Sequence, residues 1–91
     1  MLQRMAPPEL LSFPCDYPIK VMMRADPGLR AHVDAVVGRH AGAEVAAAAT
    51  ERPSAQGNFS GVTYTIRARD PEHIAALFAD LKGIAGVMMV L

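Results

Sequence analysis

A single cysteine, Cys15, stands in this chain. It has no partner for an internal disulfide and no second thiolate for a cysteine-based zinc site, as expected in a reducing compartment. Net charge is also missing, because nine Lys and Arg are balanced by nine Asp and Glu. A neutral chain lacks the overall basic field that supplies most non-specific affinity for nucleic acid or an anionic membrane. No apolar run approaches the roughly 20 residues needed to cross a bilayer, and Met1 to Pro8 holds one Arg but no apolar run long enough for the core of a secretory leader. These absences predict a cytoplasmic protein without a membrane or nucleic-acid partner. What the chain does have is a globular composition, with 52% hydrophobic and 20% charged residues, in 91 positions, enough for one domain and no second.

The pattern begins with a tail, residues 1–14, where prolines allow one helical turn at most. Leu10, Leu11 and Phe13 are expected to clamp it onto the body, residues 15–91. From Tyr17 to Ala25 side chains alternate: Tyr17, Ile19, Val21 and Met23 on one side, Lys20, Met22 and Arg24 on the other, the period of a half-buried strand. Asp26-Pro27 then reads as a helix start, since Asp accepts from first-turn amides and Pro fits the first helical position. Leu29, Val33, Val36, Val37 and His40 make its apolar stripe, and Ala41-Gly42 ends it. Asp70-Pro71-Glu72 repeats the start, with Ile74, Leu77, Phe78 and Leu81 on one face and Gly83 as the stop.

Between the helices, Phe59 to Arg69 alternates as a second clear strand. Glu44 to Arg52 is assigned as a strand on topological grounds, although Ala46 to Ala49 is the best helix-forming run in the chain. The turn residues Pro53 to Asn58 join it directly to the next strand, so a hairpin is the short connection. Gly86 to Leu91, apolar on both faces, reads as a last strand covered on both sides. The result is an α+β, ferredoxin-like β-α-β-β-α-β sandwich: an antiparallel sheet of order 4-1-3-2 with two helices on one face. The core would be Ile19, Val21, Met23, Leu29, Val33, Val37, Val62, Tyr64, Ile66, Ile74, Leu77, Phe78 and Leu81. The bare sheet face would carry Lys20, Met22, Arg24, Thr63, Thr65 and Arg67, with room for a partner or a second copy.

Two places invite binding. At the first strand–helix turn, Asp26, Gly28 and Leu29 would let a small anion approach helix N-terminal amides, beside the plainer reading of an ordinary helix start. At the hairpin tip, Ser54, Gly57, Asn58 and Phe59 offer hydroxyl, amide and aromatic groups to a protein partner; the plainer reading has Gly57 and Asn58 supplying positive φ while Phe59 begins the strand. His32, His40 and His73 lack metal-ligand spacing and read as solvated or capping side chains. Cys15 sits beside Pro14 and Asp16, which provide no activating base. No phosphate loop, serine elbow or carboxylate pair is present, so no catalytic residue, metal or cofactor is expected. RNA-recognition domains of this fold stack bases on central-strand aromatics, whereas these positions hold Met22, Thr63 and Thr65.

Phe13-Pro14, Tyr17 to Met22, Arg39-His40, Pro53-Ser54 with Gly57-Asn58-Phe59, and the closing Met89 to Leu91 resemble the YbeD-like family of small bacterial proteins of unknown function. That resemblance implies a ferredoxin-like fold close to ligand-binding ACT domains, and an association with lipoate metabolism, but no site residues. Asp26-Pro27-Gly28-Leu29 looks more like the ACT-domain turn Asp-x-Pro-Gly-x-Leu, one residue shorter before the proline. The expected function is a non-enzymatic regulatory or adaptor module, acting as a homodimer on a protein partner or small metabolite. An ACT-type sensor of amino or organic acids is the alternative.

Overall fold

The computed structural model describes residues 12–91. Leu10 and Leu11 lie outside that range, while Phe13 packs half-buried against the core as expected. The elements are β1 (Cys15–Arg24), α1 (Pro27–Ala41), α2 (Ala43–Ala47), β2 (Thr50–Pro53), β3 (Phe59–Ala68), α3 (Pro71–Lys82) and β4 (Val87–Val90). The sheet order is β2-β3-β1-β4, antiparallel throughout, so the ferredoxin-like plan holds.

Both long helices start where an Asp side chain can satisfy first-turn amides. Asp26 Oδ1 accepts from the N–H of Gly28 (2.9 Å) and Leu29 (3.4 Å), and Asp70 Oδ1 accepts from that of His73 (2.8 Å), each with Pro in the first turn. The β1 residues Ile19, Val21 and Met23 and the β3 residues Val62, Tyr64 and Ile66 are buried against Leu29, Val33, Val36 and Val37 of α1 and Ile74, Leu77 and Leu81 of α3. Burial of these apolar surfaces is the main force that holds the helices to one face of the sheet. Phe78 is only half-buried, beside Tyr17 at the rim, and is corrected from the expected core.

The strand expected over Glu44 to Arg52 is half wrong. Its first part is the one-turn helix α2, and pairing with β3 begins only at Thr50, which faces Thr63. Alanine's helix preference wins locally once Gly42, at φ 106°, has turned the chain out of α1. The hairpin survives because only four residues are needed to add an edge strand. Its tip takes positive φ at Gly57 alone, not at Asn58.

The last strand is also corrected. It lies at the sheet edge with helices on one side only, so Met88 and Met89 are exposed while Val90 is buried. Met22 pairs with Met89 and Met23 with Val87, which leaves Met88 as an extra residue in a bulge that interrupts the ladder.

Candidate functional site

The first strand–helix turn and the strand β2 enclose a cleft of about 440 Å³, within the size range of small-molecule sites. Its walls include Arg24, Asp26, Arg30, Asp34, Glu51 and Ser60. Helical spacing places Arg30 and Asp34 one turn apart on α1, and Arg30 Nε donates to Asp34 Oδ1 at 2.9 Å and Oδ2 at 3.1 Å. Arg30 Nη1 reaches across to Glu51 Oε1 at 2.5 Å. Glu51 faces the helices because it pairs with Val62, and its Oε2 accepts from the Ser60 hydroxyl at 2.5 Å. One guanidinium therefore ties helix to edge strand and bridges two carboxylates.

Tyr64 lies behind this cluster, fully buried, and its hydroxyl donates to Asp34 Oδ1 at 2.5 Å. Burial is the main cause that raises its pKa well above the usual phenol value near 10.0, and the bond to the negative Asp34 adds to it. The hydrogen bond to Asp34 likewise holds Arg30 more firmly protonated than usual. Because the folded phenol binds its proton more tightly than the unfolded one, its contribution to stability is complete below about pH 10 and is lost as pH rises through the folded pKa. Tyr64→Phe is expected to flatten the fall in melting temperature above about pH 10 relative to the parent chain. Parallel alkaline melts of equal slope would refute that assignment.

The turn residues singled out from the sequence fall differently. Asp26 lines the cleft, whereas Leu29 is buried in the core, and the amides of Gly28 and Leu29 already donate to Asp26. At the hairpin, Ser54 accepts from Gly57 N–H through its carbonyl and from Phe59 N–H through its hydroxyl, and the Asn58 carbonyl accepts from Ala25 N–H. These contacts close the turn and fasten it to the end of β1, with the Phe59 side chain exposed. His73 is buried, its Nδ1 accepting from Arg69 N–H and its Nε2 lying 2.6 Å from the His40 carbonyl, so it clasps the start of α3 to the end of α1. His40 in turn meets Asp80 at 2.7 Å.

Arg30, Asp34 and Glu51 were not picked out from the sequence, and Tyr64 was read as a core residue only. The available signal was the Arg30/Asp34 spacing together with the Tyr64 hydroxyl in the middle of the core side of a strand, since a buried hydroxyl requires a partner.

The family model for a protein of unknown function, DUF493, matches residues 8–91. A UPF0250 protein of Paraburkholderia phymatum is 38% identical over 82 residues, covering 90% of this chain and 92% of that one. Its counterpart in Edwardsiella ictaluri is 41% identical over 83 residues, covering 91% and 93%. Among solved structures, the ACT domain from the GTP pyrophosphokinase of Chlorobium tepidum superposes with a TM-score of 0.61 at 15% identity, covering 85% of this chain and 97% of that one. At that identity the likeness concerns the fold alone. No helix of the described residues is long and apolar enough to cross a membrane. The chain belongs to the DUF493 family of small bacterial proteins of unknown function.

Proposed function

We propose that this chain is a non-enzymatic regulatory module that binds a small zwitterionic metabolite, an amino acid in the first instance, in the cleft between α1 and β2. The observation that carries the reading is the pairing of opposite charges on its walls. Asp26 and Glu51 suit an ammonium group, while Arg24 and Arg30 suit a carboxylate. The likeness in fold to an ACT domain supports a regulatory use of such a site. Support for a non-enzymatic role comes from Ser60, the cleft's hydroxyl, which is buried and engaged with Glu51 rather than presented to a substrate. Lipoyl-type acids are the second ligand class, by the family resemblance; they would use the arginines alone.

Calorimetric titration of the full chain with the standard amino acids, then with octanoic and lipoic acids, tests this. An amino acid is expected to bind with a Kd below about 1 mM, and Arg30→Ala to weaken it at least about tenfold, the value of one charge-assisted contact. Absence of heat with every compound at about 10 mM would remove the reading. Equal binding by Arg30→Ala would move the ligand elsewhere on the molecule.

A further inference from the structure

Strand alternation segregates charge that the neutral composition conceals. Lys20 and Arg52 point to the helix-free side of the sheet by their register with Thr63 and Gly61, and neither has an ion-pair partner among the described residues, whereas Arg24, at the end of β1, lines the cleft instead. Arg67 also lies there, paired with Asp16 at 3.4 Å. Among the described residues, Asp16 is the sole acidic side chain that strand register places on this face, because Glu51 turns to the helices. The open face is therefore basic although the chain is neutral.

Apolar groups sit in register with these cations. One row across the sheet runs Arg52, Gly61, Met22, Met89, and the next carries Lys20 beside Leu91, whose backbone groups exchange hydrogen bonds at 3.1 and 2.8 Å. Met89 and Leu91 are 51% and 52% exposed, unusual values for large apolar side chains that lie side by side. Gly61 lowers the middle of the first row: a Cβ there would come within 3.1 Å of both Lys20 Cε and Met22 Sδ, so those chains lie across the glycine. The two rows are about 7 Å apart, and a helix about 10 Å across would cover both.

We infer that the open sheet face docks an acidic amphipathic helix of a partner protein, its apolar stripe on Met22, Met89 and Leu91 and its carboxylates on Lys20 and Arg52. Methionine suits the task because its flexible, polarizable chain adapts to different apolar surfaces. A second copy stacked on this face would oppose like cations. Nucleic acid would find no aromatic platform at the centre, where β1 and β3 present Lys20, Met22, Gly61 and Thr63. This surface lies opposite the cleft side of the sheet, and its use does not depend on whether the cleft binds a metabolite.

The test is fluorescence anisotropy with the full chain and a labelled peptide of about twenty residues, Leu on one helical face and Glu on the other. Saturable binding is expected, at least about tenfold tighter than to a shuffled peptide of equal composition, and weakening as salt is raised. Lys20→Glu with Arg52→Glu is expected to weaken it at least about tenfold further, and Met89→Asp likewise. The inference is overturned by the absence of saturable binding, by equal affinity for the shuffled peptide, or by insensitivity to both variants. It also fails if single-stranded RNA or phosphatidylglycerol vesicles bind more tightly than the peptide, or if sedimentation shows a dimer that buries this face. The salt and shuffled-peptide arms use the unmodified chain, so they decide the matter even if a variant is poorly folded.

Discussion

Gly86→Val is expected to destabilise the domain by about 3 kcal/mol, adding the backbone cost of positive φ to that of overpacking. Gly86 sits at φ 96°, and a Cβ there would lie 2.7 Å from Leu29 Cδ2 and 3.1 Å from Arg24 Nη2. Leu29 is buried at the start of α1, so it has little space to retreat. Gly86 also presents its carbonyl to the Arg24 amide at 3.0 Å, the contact that leads β4 into its register. For a chain of this size the loss corresponds to a drop in Tm of about 12 to 24 °C. The peptide interaction should fall with it, since Met89 and Leu91 follow directly in the same segment. A Tm change under about 4 °C would mean that the turn yields without strain.

Leu77→Ala should cost about as much, roughly 3 kcal/mol, by a different route: lost apolar burial and a cavity that its neighbours fill only in part. Leu77 is wholly buried in the middle of α3. The adjacent Phe78 is half-buried at the rim, so Phe78→Ala, although it removes a larger side chain, should cost less than Leu77→Ala. Urea titrations of the pair measure the helix's orientation, because a rotation that buried Phe78 instead would reverse the order.

The helices were legible because their punctuation is chemical and local. Asp26-Pro27 and Asp70-Pro71 set both starts, and the steps of three and four in Leu29, Val33, Val36 and Val37 marked the buried stripe. The long strands were legible through the period of two, and all the expected core residues except Phe78 are buried. The segment over Glu44 to Arg52 was misread because the hairpin argument fixes only that a strand must precede the turn, not its length. Four residues from Thr50 suffice, and the alanines before them follow their own helical preference. The burial of β4 was overread because an apolar strand in sequence says nothing about whether a helix covers its second side.

The candidate site was much less legible. Arg30 and Asp34 are an ordinary surface pair in a helical reading, and Glu51 belonged to a strand whose register was uncertain without the fold. Their convergence joins residues 21 and 30 positions apart in the chain, a relation that no local pattern encodes. The amides proposed for an anion at Gly28 and Leu29 are instead engaged by Asp26, the same residue that announced the helix.

Sequence alone determined the antiparallel four-stranded sheet, the two capped helices and the interior they share, because apolar periodicity and capping residues act over a few positions and point to one packing. Tertiary structure decided where charge meets charge. The Arg30 cluster arises from α1 packing over β2 and β3, which brings side chains from distant segments to within bonding distance, and strand pairing adds Arg52, Met89 and Leu91 to an open face of which alternation had given only Lys20, Met22 and Arg67.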